Sequence, residues 1–122
     1  MLLVYRDQYK SIAALSAKEM RLAGLRINPK TNIGSRTTYY NNIRVLDVKT
    51  QKISDIKDLP EEARLANIIW SHDEQKVAFT HTTDTGVELW YADLSSHQAH
   101  RLTEPRLNAN MRSVARWFKD DK

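Results

Sequence analysis

The clearest alternation of apolar and polar residues lies between Ile68 and Thr103. Residues 76–82 alternate with a period of two, which is the period of a β-strand and not of a helix. The turn formers Asp84-Thr85-Gly86 then reverse the chain, because glycine adopts positive φ without a steric penalty. The strands predicted in this stretch are Ile68–Ser71, Lys76–Thr82, Val87–Leu94 and Ala99–Thr103.

The pattern of this stretch repeats along the chain. Trp70 recurs as Trp117, a spacing of 47 residues, and the segment around Asp47 aligns with that around Asp93, a spacing of 46 residues. Four-stranded propeller blades repeat at about 40 to 50 residues, and no helical period of 3.6 accompanies these repeats. The repeat therefore predicts blades of a β-propeller.

The predicted fold is all-β, with about two antiparallel four-stranded blades, the start of a third, and one short helix near the N-terminus. Residues 1–60 are predicted to form the first blade with a helical insertion and a long loop, residues 61–105 the second blade, and residues 106–122 the start of the third. Known propellers close with about four to eight blades. We therefore expect either a fragment of a longer propeller or a chain that completes itself with further copies.

Before the second blade the pattern is less regular. The helix is predicted to begin at either Ser11 or Ser16, where Ser16 and Glu19 have the spacing of a capping box. The other predicted elements here are strands at Leu2–Tyr5, Arg21–Asn28, Thr37–Val48 and Lys52–Ile56, with an exposed loop at Lys30–Arg36.

The composition narrows the functional classes. The chain has 122 residues, 41% of them hydrophobic and 28% charged, as is usual for a globular unit, and no cysteine for a disulfide or thiolate metal site. The net charge of +4 is spread along the chain without a basic run, which argues against nucleic-acid binding. No apolar run is long enough for a membrane span, and the residues after Met1 do not form a signal peptide. The compartment stays open, an exported or periplasmic parent included.

Two groups of polar residues could suggest chemistry. Ser71-His72-Asp73 contains the residue types of a catalytic triad, but neighbours in sequence cannot form that relay, so a turn is predicted. His97 and His100 have a chelating spacing but no third ligand, so no metal is expected, and no cofactor is implied. The large aromatic residues at strand positions are expected in the core: Trp70, Phe79, Trp90, Tyr91 and Trp117.

Three segments carry a resemblance to a known family. RLAGLRINPKTN at 21–32, WSHDEQKVAFTHTTDTGVELWYADL at 70–94 and RLTEPRLNANM at 101–111 together resemble the amino-terminal propeller of the glutamyl endopeptidase-like branch of the prolyl oligopeptidase family of serine peptidases. One departure is the turn at 72–75, which reads His-Asp-Glu-Gln where the family usually has a Pro-Asp-Gly type.

The resemblance implies a parent serine peptidase whose carboxy-terminal α/β-hydrolase domain carries the catalytic Ser, Asp and His. The propeller would be that domain's partner and would restrict which peptide substrates enter. No catalytic residue can be assigned in this chain, because none of Gly24, Gly34 and Gly86 flanks a serine as a nucleophile elbow requires. The chain alone should therefore be inactive. The alternative is a TolB-like or WD-repeat-like propeller that serves as a protein-interaction scaffold.

Arg26, Asn28 and Arg36 are the candidate substrate-binding residues, because they lie on or beside the long first-blade loop. If the parent prefers acidic side chains, an arginine fork could hold a substrate carboxylate. The simpler interpretation is surface solvation or a structural ion pair. Open blade edges are also expected to allow self-association between copies.

Overall fold

The computed structural model describes residues 1–5, 18–35, 37–110 and 113–120. Within these residues all regular structure is β. The strands are β1 Leu2–Tyr5, β2 Met20–Leu22, β3 Leu25–Asn28, β4 Ile33–Gly34, β5 Asn42–Asp47, β6 Lys52–Asp55, β7 Leu65–Trp70, β8 Lys76–Thr82, β9 Val87–Asp93 and β10 Gln98–Arg101. They form three antiparallel sheets with the spatial orders β1-β5-β6, β2-β3-β4 and β10-β9-β8-β7.

The four-stranded sheet is a meander of consecutive strands. Its register pairs Phe79 of β8 with Trp90 of β9, and Trp90 in turn with Arg101 of β10. The pairing of β7 with β8 is interrupted by a register shift between Ala66 and Ile69. Strand β8 has the predicted bounds, and β9 and β10 each end earlier than predicted.

The β5–β6 hairpin of the first sheet repeats the β9–β10 hairpin. Asp47 pairs with Lys52, and Asp93 pairs with Gln98, so the two registers are related by the same 46-residue spacing. The turns also agree in detail. The Asp47 carboxylate accepts hydrogen bonds from the backbone N–H of the residues two and three positions later, and the Asp93 carboxylate does the same. The repeat inferred from this part of the sequence is therefore present in the structure.

The registers also define the faces of the two sheets, because Cα partners on neighbouring strands lie on the same side of a sheet. We call one side of the four-stranded sheet the Phe79 face; it carries Val77, Phe79, His81, Glu88, Trp90, Ala92, Ala99 and Arg101. The opposite side is the Tyr91 face; it carries Ile69, Ala78, Thr80, Leu89, Tyr91 and His100.

The hydrophobic core lies between the first sheet and the Phe79 face. Phe79 and Ile43 are both fully buried there, and Leu2 and Val45 pack against the same cluster from the first sheet. The side of the first sheet that faces away from this core is called the Leu3 face here. It carries Met1, Leu3, Tyr5, Asn42, Arg44, Leu46, Ile53 and Asp55, of which Arg44 and Asp55 form an ion pair.

The two sheets are stacked head to tail. By register, Leu3 corresponds to Phe79, and Val45 corresponds to Tyr91. The Phe79 face therefore packs on the side of the first sheet that corresponds to the Tyr91 face. Such a contact uses two different surfaces of one repeat, so it can be continued by further repeats in either direction.

The third sheet corrects two predictions. The single strand predicted at Arg21–Asn28 is a hairpin, with strands β2 and β3 joined by a turn at Ala23 and Gly24, which have φ of 48° and 81°. The predicted exposed loop at Lys30–Arg36 contains strand β4, whose Ile33 is only 1% exposed. Ile33 is buried because it pairs with Asn28 and bridges to a segment far along the chain, which the local turn composition could not reveal.

Three further predictions fare differently. The helix predicted from Ser11 or Ser16 falls mainly on residues 6–17, which lie outside the described residues, and Met20 at its expected end is the first residue of β2. No strand begins within residues 113–120, so the spacing that links Trp70 to Trp117 has no matching strand there. Phe79 is in the core as predicted, but Trp70 is 40% exposed because it ends β7 at the edge of the sheet.

Candidate functional site

Several connections of the chain lie at one end of the two main sheets, which we call the loop end. Its described residues are 18–35 and 37–41 of the β1–β5 connection, Arg64 before β7, residues 83–86 between β8 and β9, and residues 102–110 after β10. Loops that a rigid sheet holds in place are the usual carriers of binding residues. The three residues predicted to bind substrate all belong to the first of these connections.

Backbone contacts hold the loop end together. Tyr40 and Leu65 exchange N–H to O=C hydrogen bonds of 2.8 Å, which joins the first connection to the start of β7. Ile33 of β4 bridges Ala109 in parallel, and the Asn110 side-chain amide donates to the Asn32 carbonyl at 3.0 Å. The third sheet is thereby fastened to the segment that follows β10.

Arg26 lies on β3 beside an acidic residue. Its Nη1 is 3.5 Å from Oε1 of Glu19, and its side chain is 35% exposed. The other Glu19 oxygen accepts a 2.7 Å hydrogen bond from the Ser35 hydroxyl, and Nε of Arg21 is also 3.5 Å from Oε1. Arg26 therefore takes part in an ion pair on the sheet surface, as the simpler interpretation expects.

The same contacts keep Glu19 charged. The Ser35 hydroxyl lowers the pKa of the Glu19 carboxyl, and the guanidinium groups of Arg26 and Arg21 act in the same direction, while partial burial opposes them. The arrangement of two guanidinium groups and one hydroxyl around a carboxylate is the chemistry by which proteins hold acidic groups.

Asn28 does not join this cluster of contacts. The Asn28 side-chain oxygen accepts the backbone N–H of Lys30 at 3.0 Å, so it stabilises the turn between β3 and β4. Arg36 lies outside the described residues. Of the two predicted substrate-binding residues that the structure describes, Arg26 lies beside a carboxylate and Asn28 contacts the backbone of its own turn.

A buried polar cluster sits at the loop end of the Phe79 face. His81 and Glu88 are cross-strand partners and are only 7% and 6% exposed. The Glu88 carboxylate accepts a 2.8 Å hydrogen bond from the Trp90 indole N–H and lies 3.3 Å from Nη1 of Arg101. Nδ1 of His81 accepts the backbone N–H of Arg64 at 3.2 Å. The buried carboxylate is therefore neutralised and hydrogen-bonded, as buried charges require.

Burial shifts the pKa of two side chains at the loop end, His81 and Tyr39. Desolvation lowers the pKa of His81, although the nearby Glu88 carboxylate opposes this shift. Desolvation also raises the pKa of Tyr39, against the effects of Thr82 and Arg64 beside it.

Arg64 forms a further ion pair, at the surface, with Asp84 at 2.8 Å. The loop end thus presents Arg26, Arg64 and Arg101, each beside a carboxylate of its own chain.

The sequence interpretation missed the His81 and Glu88 cluster. A signal was present, because His81 follows Val77 and Phe79 on the same alternating side of β8. A titratable residue on the buried face of a strand needs a polar partner. Once the β8–β9 hairpin is predicted, Glu88 is the residue opposite His81 and so the first candidate for that partner. Its partners Arg64 and Arg101 could not be found in this way, since they come from other parts of the chain.

The other polar candidates remain structural. The Ser71 hydroxyl donates to the Asp73 carboxylate at 2.6 Å, and that carboxylate also accepts the Gln75 N–H, so the segment is a turn as predicted. His100 stacks on Tyr91 with ring centroids 5.0 Å apart. In the described part of the chain, no group of three or more His, Cys, Asp or Glu side chains could hold a metal ion. The described residues also include no helix able to cross a lipid bilayer.

Comparison with known proteins gives one distant relative. The chain is 29% identical over 114 residues to a probable chloroplastic glutamyl endopeptidase of rice, Oryza sativa subsp. japonica, and the match covers 84% of this chain. The chain spans only 12% of the length of that relative. No family model matches the chain, and no solved structure matches it. The match is distant support for a relationship to peptidases.

Proposed function

We propose that this chain is a segment of a β-propeller in a serine peptidase, where it acts as a scaffold and restricts substrate access to a hydrolase domain. The observation that carries the proposal is the head-to-tail stacking of two sheets that share one register at a 46-residue spacing. Repeats stacked in this way form the blades of a propeller. The distant similarity to a probable glutamyl endopeptidase supports the peptidase part.

The proposed blades are those of the sequence analysis: residues 1–60, residues 61–105, and a third that begins within 106–122. The chain contributes no nucleophile in this proposal. Ser71 donates to an aspartate and not to a histidine, so it lacks the base that activates a catalytic serine.

The test compares the isolated chain with the complete protein that contains it. Both are treated with a fluorophosphonate probe, which labels activated serines, and both are assayed with short peptides that contain glutamate. We expect the complete protein to be labelled and to cleave peptides, and the isolated chain to do neither. A complete protein that is folded but neither labelled nor active would contradict the peptidase proposal and favour an interaction scaffold.

Within this function we propose that Arg26, Asn28 and Arg36 line the path of the substrate. Arg26 is already held beside a carboxylate, so a substrate carboxylate could replace Glu19 there. In the complete enzyme, Arg26→Ala should reduce kcat/KM for peptides with acidic side chains by about tenfold or more relative to neutral peptides. Arg44→Ala is the matched control, because Arg44 also forms a surface ion pair but lies on β5. An unchanged ratio of acidic to neutral substrates in Arg26→Ala would refute this role.

A further inference from the structure

His81 fastens two distant segments of the chain to each other at the loop end. Its Nδ1 accepts the backbone N–H of Arg64 at 3.2 Å, and the next residue of β8, Thr82, donates its N–H to the Arg64 carbonyl at 3.0 Å. Arg64 directly precedes Leu65, which exchanges backbone hydrogen bonds with Tyr40 of the β1–β5 connection. The end of β8, the start of β7 and the β1–β5 connection are therefore joined around Arg64.

The contact between His81 and Arg64 requires a neutral imidazole. A neutral ring has one donor and one acceptor nitrogen, whereas a protonated ring has two donors. Because Nδ1 accepts a hydrogen bond here, the neutral ring carries its proton on Nε2. Protonation places a second proton on Nδ1, opposite the N–H of Arg64, and two donors cannot bond to each other. The charged form of His81 must therefore give up Arg64.

The charged form has another partner close by. Glu88 is the cross-strand partner of His81, and both residues lie on the buried Phe79 face. Opposite side chains on neighbouring antiparallel strands are close enough to pair. The two Glu88 oxygens accept from the Trp90 indole and the Arg101 guanidinium, and each carboxylate oxygen can accept a second hydrogen bond. The imidazolium of His81 can thus pair with Glu88 without displacing these donors.

The charges around the ring oppose one another. Burial and the Arg64 guanidinium disfavour the charged form of His81 and lower its pKa, whereas the Glu88 carboxylate favours it. The Arg64 guanidinium is itself paired with Asp84 at 2.8 Å. Tyr39 lies beside Arg64, and burial raises the pKa of its phenol, so this group stays uncharged where histidines titrate. The neutral ring is therefore the form at neutral pH, and acid is needed to charge it.

We propose that the contact between His81 and Arg64 is an acid-sensitive latch of the loop end. The neutral ring holds Arg64 against the end of β8; the protonated ring leaves Arg64, pairs with Glu88 and loosens the segment before β7. The proton comes from solvent and is bound at Nδ1, so no other group has to change its charge. The latch follows from contacts inside the four-stranded sheet and at its edge, and it does not depend on peptidase activity.

The first experiment measures amide hydrogen exchange by mass spectrometry in the complete protein that contains this chain. His81→Asn is the reference, because asparagine offers an acceptor to Arg64 but does not titrate. At neutral pH the Arg64 amide should be protected equally in both proteins; in acid it should exchange about tenfold faster in the wild type. Peptides that cover Phe79 should exchange alike, which shows that the opening is local.

Two results of this experiment would overturn the latch. One is equal exchange at Arg64 in both proteins throughout the pH range in which His81 becomes protonated. The other is a His81 ring that stays neutral until the whole chain unfolds. Either result leaves the propeller proposal intact, because that proposal depends on the repeated sheets and not on the charge of His81.

The second experiment tests the exchange of partners. Glu88→Gln keeps an acceptor for the Trp90 indole but removes the charge that favours the imidazolium, so the latch should open at a lower pH than in the wild type. His100→Asn is the matched control, because it removes a histidine that stacks on Tyr91 on the opposite face, and it should leave the opening pH unchanged. An unchanged opening pH in Glu88→Gln would contradict the pairing with Glu88.

The third experiment needs no variant and keeps the latch testable if a substitution prevents folding. In the nitrogen-15-labelled chain, the ring nitrogens of His81 and the amide of Arg64 are followed together by NMR as the pH is lowered. We expect one common midpoint. The Lys57 amide is the control, because it bonds to the backbone carbonyl of His97 and not to a ring, and it should not follow either histidine. An Arg64 amide that does not respond while the His81 ring titrates would refute the latch.

Discussion

The first sheet and the four-stranded sheet use the same hairpin chemistry but differ in burial. The turns at Asp47 and Asp93 have the same backbone hydrogen bonds to the aspartate and the same register. Yet Phe79 of β8 is fully buried, whereas Leu3 at the equivalent position of β1 is only partly buried. The four-stranded sheet has a neighbour on its Phe79 face, whereas the described residues place no further sheet on the Leu3 face of the first sheet. Burial in such a repeat is therefore decided by stacking and not by the strand's own sequence.

The sheets differ also in one connection. The chain passes from β8 to β9 through residues 83–86, but from β1 to β5 through residues 6–41, which contain the third sheet. The short connection lets the segment after β10 press against it, and the long one places Arg26 at the loop end. The same point in the repeat thus serves as a tight turn in one sheet and as the site of an insertion in the other.

The largest expected effect concerns the core positions that correspond in the two sheets. Phe79→Ala should reduce the free energy of unfolding by about 3 to 5 kcal/mol, because it leaves a cavity between the sheets. Leu3→Ala, at the equivalent position on the Leu3 face, should cost less than about 2 kcal/mol in the monomer. Urea unfolding at low protein concentration measures both. Equal losses would show that the Leu3 face is as well packed as the core.

The second effect concerns the tight connection of the four-stranded sheet. A Cβ atom at Gly86 would collide with the Pro105 carbonyl, whose carbon would lie 2.9 Å away. Gly86→Ala should therefore cost about 1 to 3 kcal/mol through displacement of backbone. Gly24→Ala is the control for a site with open space around it, where only the positive φ is strained, at about 1 kcal/mol. Thermal unfolding compares them, and a smaller loss at Gly86 than at Gly24 would contradict the close packing.

The third prediction uses the buried histidine, which the first sheet lacks. Because burial lowers the pKa of His81 in the folded state, the unfolded chain binds more protons below its ordinary pKa of about 6.5. The free energy of unfolding should therefore fall as the pH drops from about 6.5 towards the lowered pKa of His81 in the folded state. His81→Asn keeps an acceptor for the Arg64 N–H and should flatten this dependence. Urea unfolding at several pH values measures it, and an unchanged slope would show that His81 does not titrate in this way.

The smallest effect is expected at the two equivalent turns. Hydrogen bonds from backbone and side-chain donors lower the pKa of both Asp47 and Asp93 in the folded state. The stabilising contribution of these two carboxylates is therefore complete above their unfolded-state pKa of about 4. It is lost as the pH falls through their lower folded-state pKa values. Asp47→Asn and Asp93→Asn should each lower Tm at neutral pH by about a few degrees, and by similar amounts. Clearly unequal shifts would show that the two turns are not energetically equivalent.

The parts of the fold that were predictable are those set by neighbours in sequence. Strand β8 was predicted with its observed bounds, because its alternation is uninterrupted, and the 46-residue spacing identified both hairpins. The third sheet was not predicted. The Ala23-Gly24 turn lies inside an apparently continuous alternation, and Ile33 is buried by contact with Ala109, far along the chain.

In the candidate site, too, the sequence could indicate individual residues but not the contacts between residues that are distant in the chain. Arg26 could be singled out from its position beside a long connection, but its pairing with Glu19 depends on how β2 and β3 fold against each other. Glu88 stands opposite His81 by register alone. Arg101 and Arg64, which complete that cluster, come from β10 and from the connection before β7.

By itself the sequence determined that this protein is built of β-strands, where its main hairpins lie, and that its sheets repeat. These properties follow from side-chain alternation and turn chemistry, which act between residues close in the chain. Only the tertiary structure decided which faces are buried, how the sheets stack and which charges meet at the loop end. Those outcomes depend on contacts between distant segments, because a sheet buries its apolar surface only against another element.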